Sequence, residues 1–166
     1  FVVADGASNS ATFGRAAGGT VTVDSVSRTL GTLNFAAGDY LITGFPVALD
    51  NGAGTPLIDV ASNRIATIDP LLSSTNGLRK TAGGRLRLAS GSSYTGSTSV
   101  DGGVLALGNA YAGSAYVIAS GAALELDTVS SKPVDHEAPD HRTGSTGVNV
   151  QPIGARTRVV RTTRHR

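Results

Sequence analysis

The 166-residue sequence predicts an all-β protein: a parallel β-helix (solenoid) with coils of about 19 residues, followed by a disordered C-terminal tail. Three observations carry this. GGRLRLAS (Gly83–Ser90), GGVLALGN (Gly102–Asn109) and GAALELDT (Gly121–Thr128) align without gaps, each beginning 19 residues after the last. Short apolar–polar alternations bounded by Gly, Asp, Asn and Pro run through residues 1–127, and no segment keeps a 3.6-residue period. Beyond Asp127 the pattern stops: residues 128–166 hold no leucine, three of the six prolines, all three histidines and seven of the fourteen basic residues.

Composition points the same way. Hydrophobic residues make up 40% of the chain, enough for a core, whereas charged residues are 16%, below the usual quarter, and Gly reaches 22. Small, β-branched and glycine residues suit short strands and tight turns. Cysteine is absent, which excludes disulfides and thiolate zinc sites. No apolar run approaches the ~20 residues of a membrane helix. The net charge of +2 is a composite: residues 1–127 hold seven basic and nine acidic side chains, a net of −2, and the tail holds seven and three, a net of +4. The basic balance therefore belongs to the tail. The chain opens in mid-pattern at FVVADG, as an internal fragment would, and the abrupt change after Asp127 reads as a truncated or out-of-frame end.

Element by element, the first half alternates at TVTVD (Thr20–Asp24), TLNF (Thr32–Phe35), YLITG (Tyr40–Gly44), PVALD (Pro46–Asp50) and PLIDV (Pro56–Val60). The turn clusters GDY, DNGAGTP and STNG separate these runs. In the second half Leu86, Leu105 and Leu124 fall in one column, Leu88, Leu107 and Leu126 in another, and Gly83, Gly102 and Gly121 in a third. Arg87, Ala106 and Glu125 stand between the leucines and need no burial, the period-two signature of a half-buried strand. STSV (Ser97–Val100) and AYVIA (Ala115–Ala119) add a second run to their units. A 19-residue unit cannot bury its own inner face, but stacked on its neighbours it can. About six coils over residues 1–127 would make a rod about 30 Å long at the ~4.8 Å strand spacing. A β-sandwich is the alternative; it explains the strands but not the constant register. The tail, from Val129 onward, cannot bury enough apolar area to offset its chain entropy.

Motifs that suggest chemistry lack the required context. Pro56 and a strand follow NGAGT (Asn51–Thr55), where a phosphate loop needs a helix N-terminus. The glycines of GGRLRLASG (Gly83–Gly91) bracket a strand, unlike a dinucleotide fingerprint, and VDGGVLALG has its Asp on the wrong side of the glycines for a calcium nonapeptide. His136, His141 and His165 all lie in the tail, so no rigid Ser–His–Asp triad is expected. DHEAPDH (Asp135–His141) is a solvated charge cluster rather than a metal site. Asp39, Asp50 and Asp101 sit at corners as turn residues, and no converging carboxylate pair emerges. RTRVVRTTRHR could touch phosphates but has no aromatic for base stacking, so no specific nucleic-acid partner is expected. The reading is non-enzymatic, with no catalytic, metal or cofactor residues.

The stretch GLRKTAGGRLRLASGSSYTGSTSVDGGVLALG (Gly77–Gly108) resembles the autotransporter-associated β-strand repeat, also called the passenger-associated transport repeat. Gly77, Leu78, Lys80, Leu86, Leu88, Tyr94, Thr95, Gly96, Thr98, Val100, Gly102, Gly103, Leu105, Leu107 and Gly108 match its pattern, and Leu124 and Leu126 continue it. Ala82 departs from it, since the family usually has Gly there. ATFG (Ala11–Gly14), TVTVDS (Thr20–Ser25), LGTLNF (Leu30–Phe35) and LDNGAGTPLIDV (Leu49–Val60) resemble the region that commonly precedes the repeat. The resemblance covers about residues 11–127 and is clearest at 77–127. It implies a right-handed parallel β-helix in the passenger of a type V secreted protein of a Gram-negative bacterium, at the cell surface and associated with the outer membrane. The implied role is a structural stalk segment that aids secretion and folding, with an outer-membrane translocator barrel as partner in the parent protein. The alternative is a surface adhesin binding a glycan or host protein along the solenoid face.

Overall fold

The computed structural model describes residues 5–24, 26–108 and 115–126, and the backbone of 157–159. Among them are sixteen strands and no helix. The first sheet stacks β1 (Ser10–Phe13), β4 (Thr32–Phe35), β7 (Leu57–Val60), β10 (Leu78–Thr81), β12 (Ser97–Val100) and β14 (Ala115–Ile118). The second stacks β2 (Gly19–Val23), β5 (Tyr40–Gly44), β8 (Ile65–Ile68), β11 (Arg85–Leu88), β13 (Val104–Leu107) and β15 (Ala123–Leu126). A third holds β3 (Arg28–Leu30), β6 (Val47–Leu49) and β9 (Leu72–Ser74).

Every pairing among these fifteen strands is parallel and joins one layer to the next. A sandwich built of hairpins is therefore excluded, and the chain is a β-solenoid. Six layers separated by about 4.8 Å span about 24 Å from first to last. β16 (Thr157–Val159) pairs antiparallel with β15 along the last layer. The rest of the tail, where disorder is expected, lies outside the described residues, as do the three histidines and DHEAPDH.

The 19-residue step is realised in the second sheet, where Leu86 faces Leu105 and Leu105 faces Leu124. Earlier layers are longer: Tyr40 faces Ala66, 26 positions on, and Thr32 faces Leu57, 25 on. The extra length is the DNGAGTP excursion. There Gly52 N–H donates to Asp50 Oδ1 at 2.8 Å, and Asn51 and Gly54 form an isolated bridge, so the stretch is a turn feeding β7.

Alternation sorts the side chains. One inward column of the first sheet runs Ala11, Leu33, Ile58, Lys80, Val100, Ile118. Columns of the second run Tyr40, Ala66, Leu86, Leu105, Leu124 and Val21, Ile42, Ile68, Leu88, Leu107, Leu126. Leu86, Leu105 and Val100 are fully buried. Each such aliphatic side chain contributes about 1.5–3 kcal/mol on burial. Leu124 and Leu126 are half-buried, and among the described residues no further parallel layer stacks on β15. Near the first layers, Phe13 and Phe35 stack at 4.7 Å between ring centroids, with Tyr40 tilted against both.

Ala106 differs from the expectation that it needs no burial: it is fully buried on the outer side of β13. Its neighbours in register are Arg87 on β11 and Glu125 on β15, and Glu125 meets Arg85 of β11 across β13.

Candidate functional site

The corner between the first two sheets in layers four and five is the most chemically specific place in the described residues. Leu78 and Lys80 lie two apart on β10, so both point inward. Lys80 thus occupies an aliphatic column between Ile58 and Val100 and is fully buried. Its ammonium turns to the corner and donates to Thr81 O at 2.8 Å, Ala82 O at 2.9 Å and Gly102 O at 3.1 Å. All three N–H bonds of the ammonium are thereby used. Burial pushes the Lys80 amine down to about 8, and the charge of Asp59 opposes the shift.

Backbone conformation shapes the same corner. Ala82 has φ +55, a left-handed conformation that is costly for a residue with a Cβ. Gly103 has φ +62, and a Cβ there would meet Gly84 O at 2.2 Å. Gly102 presents its carbonyl to Lys80, and a Cβ on it would lie 3.0 Å from Ala82 O. The Gly pair of SVDGGVLALG is accordingly a corner in direct backbone contact with the layer below. On the outside, Arg79 Nε donates to Asp101 Oδ2 at 2.6 Å and the Ser99 hydroxyl donates to Asp101 Oδ1. Ser99, then Arg79, hold the Asp101 carboxyl below the usual carboxylate range.

The opposite corner carries the YTG of the motif. Ser93 N–H donates to Leu72 O at 2.8 Å and Thr95 N–H to Ser74 O at 2.9 Å, so the chain continues the third sheet without forming a strand. Tyr94 between them is buried and accepts a hydrogen bond from Thr98 Oγ1 at 3.2 Å. Gly77 has φ +75, and a Cβ on it would meet Ser97 O at 2.2 Å; Gly96 lies directly against Gly77. Gly108 stacks on Ala89. The motif residues that the sequence singles out therefore fall on inward columns or at corners.

The outer surface offers little convergent chemistry. A shallow groove of about 350 Å³ over the third sheet is lined by Thr29, Ala48, Asp50, Ser73, Thr75 and Thr95, among others. A hollow of about 240 Å³ opens beside the first layer and is lined largely by apolar side chains, including Phe13, Val21 and Leu33. Val26, Phe45 and Leu71, each about half exposed, mark the corner before the third sheet in three successive layers. Phe45 is the one exposed aromatic among the described residues. The described residues contain no group of three or more His, Asp or Glu placed to hold a metal. Among the described residues no helix is long and apolar enough to cross a membrane.

Sequence reasoning did not foresee the seat of Lys80, the Arg85–Glu125 pair or the exposed Val26–Phe45–Leu71 corner. The period-two rule applied to LRKT already puts Lys80 on the face of Leu78, and that signal was available.

The chain is similar to the adhesin BmaC autotransporter of Brucella suis biovar 1 (strain 1330), with 36% identity over 104 residues. The match takes in 63% of this chain and 3% of that much longer relative. No family model matches the chain, and no solved structure gives a significant match.

Proposed function

We propose that the chain is a stalk segment of an autotransporter passenger, with residues 1–127 forming the solenoid and 128–166 standing outside the repeat. One observation carries the reading: the inward columns that run from layer to layer through strands paired only with those of adjacent layers. Similarity to part of an autotransporter adhesin supports it. So does the resemblance of residues 77–108 to the autotransporter-associated repeat. In this reading the segment is non-enzymatic and needs no cofactor. The parent protein supplies an outer-membrane translocator barrel, and the segment lies at the surface of a Gram-negative cell. Layers whose strands pair only with those of the adjacent layers can fold in order as they emerge, which suits secretion.

Adhesion along the solenoid face is the second reading, favoured by the exposed corner of Val26, Phe45 and Leu71. Because Phe45 is the one exposed aromatic among the described residues, the stalk reading is preferred. The test fuses the chain between a signal peptide and a heterologous translocator barrel in a Gram-negative host. The stalk reading expects surface display of a protease-resistant segment, loss of display for Leu105→Asp, and no gain in binding to a glycan array or host cells. Binding above the barrel-only control would favour the adhesin reading, and failure of the intact segment to reach the surface would sink both.

A further inference from the structure

Lys80 is the one charged side chain fully buried among the described residues, and it sits in a column otherwise made of Ala, Leu, Ile and Val. Two features single out its layer. The third sheet ends as a strand at β9, so layer four is the first built on two strands. The spacing also shortens there: Leu57 faces Arg79, 22 on, whereas Leu78 faces Thr98, 20 on, and Ser97 faces Ala115, 18 on. Layer four is thus where the stack must change its cross-section from three strands to two.

In a partly folded chain in which layer four stands without layer five, β10 is an open edge, with unpaired N–H and C=O groups along an otherwise apolar inner column. Such edges recruit other chains, and an inward-pointing charge, Lys above all, is a known way to blunt them. The third acceptor of Lys80, Gly102 O, belongs to layer five. The carbonyl seat is therefore complete only after that layer has docked, and before then the ammonium has no reason to leave water.

We infer that Lys80 is an edge guard: its charge keeps the half-built solenoid hydrated at β10 and is sealed against Thr81 O, Ala82 O and Gly102 O when layer five docks.

The experiment refolds the full chain from urea at protein concentrations from about 1 to about 50 µM, the range in which exposed edges aggregate, and measures soluble native yield. Four variants accompany the parent. Lys80→Met removes the inward charge. Lys80→Arg keeps it but does not suit the three-carbonyl seat. Arg79→Met removes an outward charge from the same strand, and Leu88→Ala destabilises the core without touching the edge. The expected result is a yield for Lys80→Met that falls with concentration at least about threefold more steeply than the parent's, with the other three following the parent. The inference is overturned if Lys80→Met follows the parent or Leu88→Ala, or if Arg79→Met or Lys80→Arg falls as steeply. It is equally overturned if the loss is the same at every concentration, including complete failure to fold, since that marks a requirement of the native state alone.

Discussion

Arg85 and Glu125 meet at 2.6 Å between Nη1 and Oε2 across the whole width of β13, so residues two layers apart clamp the layer between them. The contact is an ion pair rather than an aligned hydrogen bond, and Glu125 Oε2 has no hydrogen-bond partner. Their side chains are 25% and 19% exposed, and Ala106 beneath them is sealed.

Breaking this clamp should cost on the order of 1 kcal/mol, more than a free surface pair and far less than a buried one. Glu125→Gln, Arg85→Met and the double variant form a cycle that urea unfolding can read. A coupling indistinguishable from zero at low salt would show that the pair adds nothing.

Ala82→Gly should stabilise the protein by about 0.5–1 kcal/mol. Relief of a left-handed alanine is worth about 1–2 kcal/mol, partly offset by the greater chain entropy of glycine. Thermal unfolding checks the sign, and a destabilised variant would mean that the Ala82 methyl packs more productively than its φ of +55 costs.

Gly103→Ala should be destabilising by more than about 1–2 kcal/mol, because it adds a left-handed penalty to a Cβ lying 2.2 Å from Gly84 O. Its midpoint in urea should fall while that of Gly121→Ala falls less. Gly121 has φ +80 but nothing within 4 Å of its Cβ position.

Leu105→Ala should cost about 2–5 kcal/mol and Leu105→Asp more, since the carboxylate would replace a fully buried leucine between Leu86 and Leu124. Unchanged unfolding of the Asp variant would refute the inward placement of Leu105.

Lys80 gives a pH signature. Its amine is lowered from 10.5 to about 8 in the folded chain, so between those values the unfolded chain binds a proton that the folded chain has released. Stability must therefore rise with pH across this window, by at most about 3 kcal/mol, and Lys80 adds no slope well below pH 8. Asp59 on β7, which accepts a hydrogen bond from Thr81 Oγ1, works against the shift through its charge, while Asp101 and Arg79 are engaged with each other. The difference in stability between the parent and Lys80→Met, followed from pH 7.5 to about 10.5, isolates this slope from the tyrosines. A flat difference would mean that the three carbonyls hold the proton on Lys80.

The second half of the solenoid was legible because its layers are equal: a constant step puts Leu86, Leu105 and Leu124 in one column without alignment gaps. In the first half the strands were readable one by one, yet their pairing was not, because the excursion at Asn51–Thr55 stretches a layer to 25 or 26 residues. Ala106 was misjudged because alternation describes one strand, whereas its burial depends on side chains from the strands on both sides. Only the repeat resemblance singles out Lys80 in the sequence, since its charge argues for the surface and only the carbonyls of Thr81, Ala82 and Gly102 make the interior tolerable.

The parallel stacking also sets how the rod would bear mechanical load. Its backbone hydrogen bonds run along the long axis, so a pull on the ends strains one layer boundary at a time instead of shearing several strands together. Each layer that peels off pays out its own slack. A 19-residue coil lengthens the tether by about 65 Å, and the 26-residue coil between Tyr40 and Ala66 by about 90 Å. Tension between the ends of the stack would thus be taken up as a series of small, graded extensions.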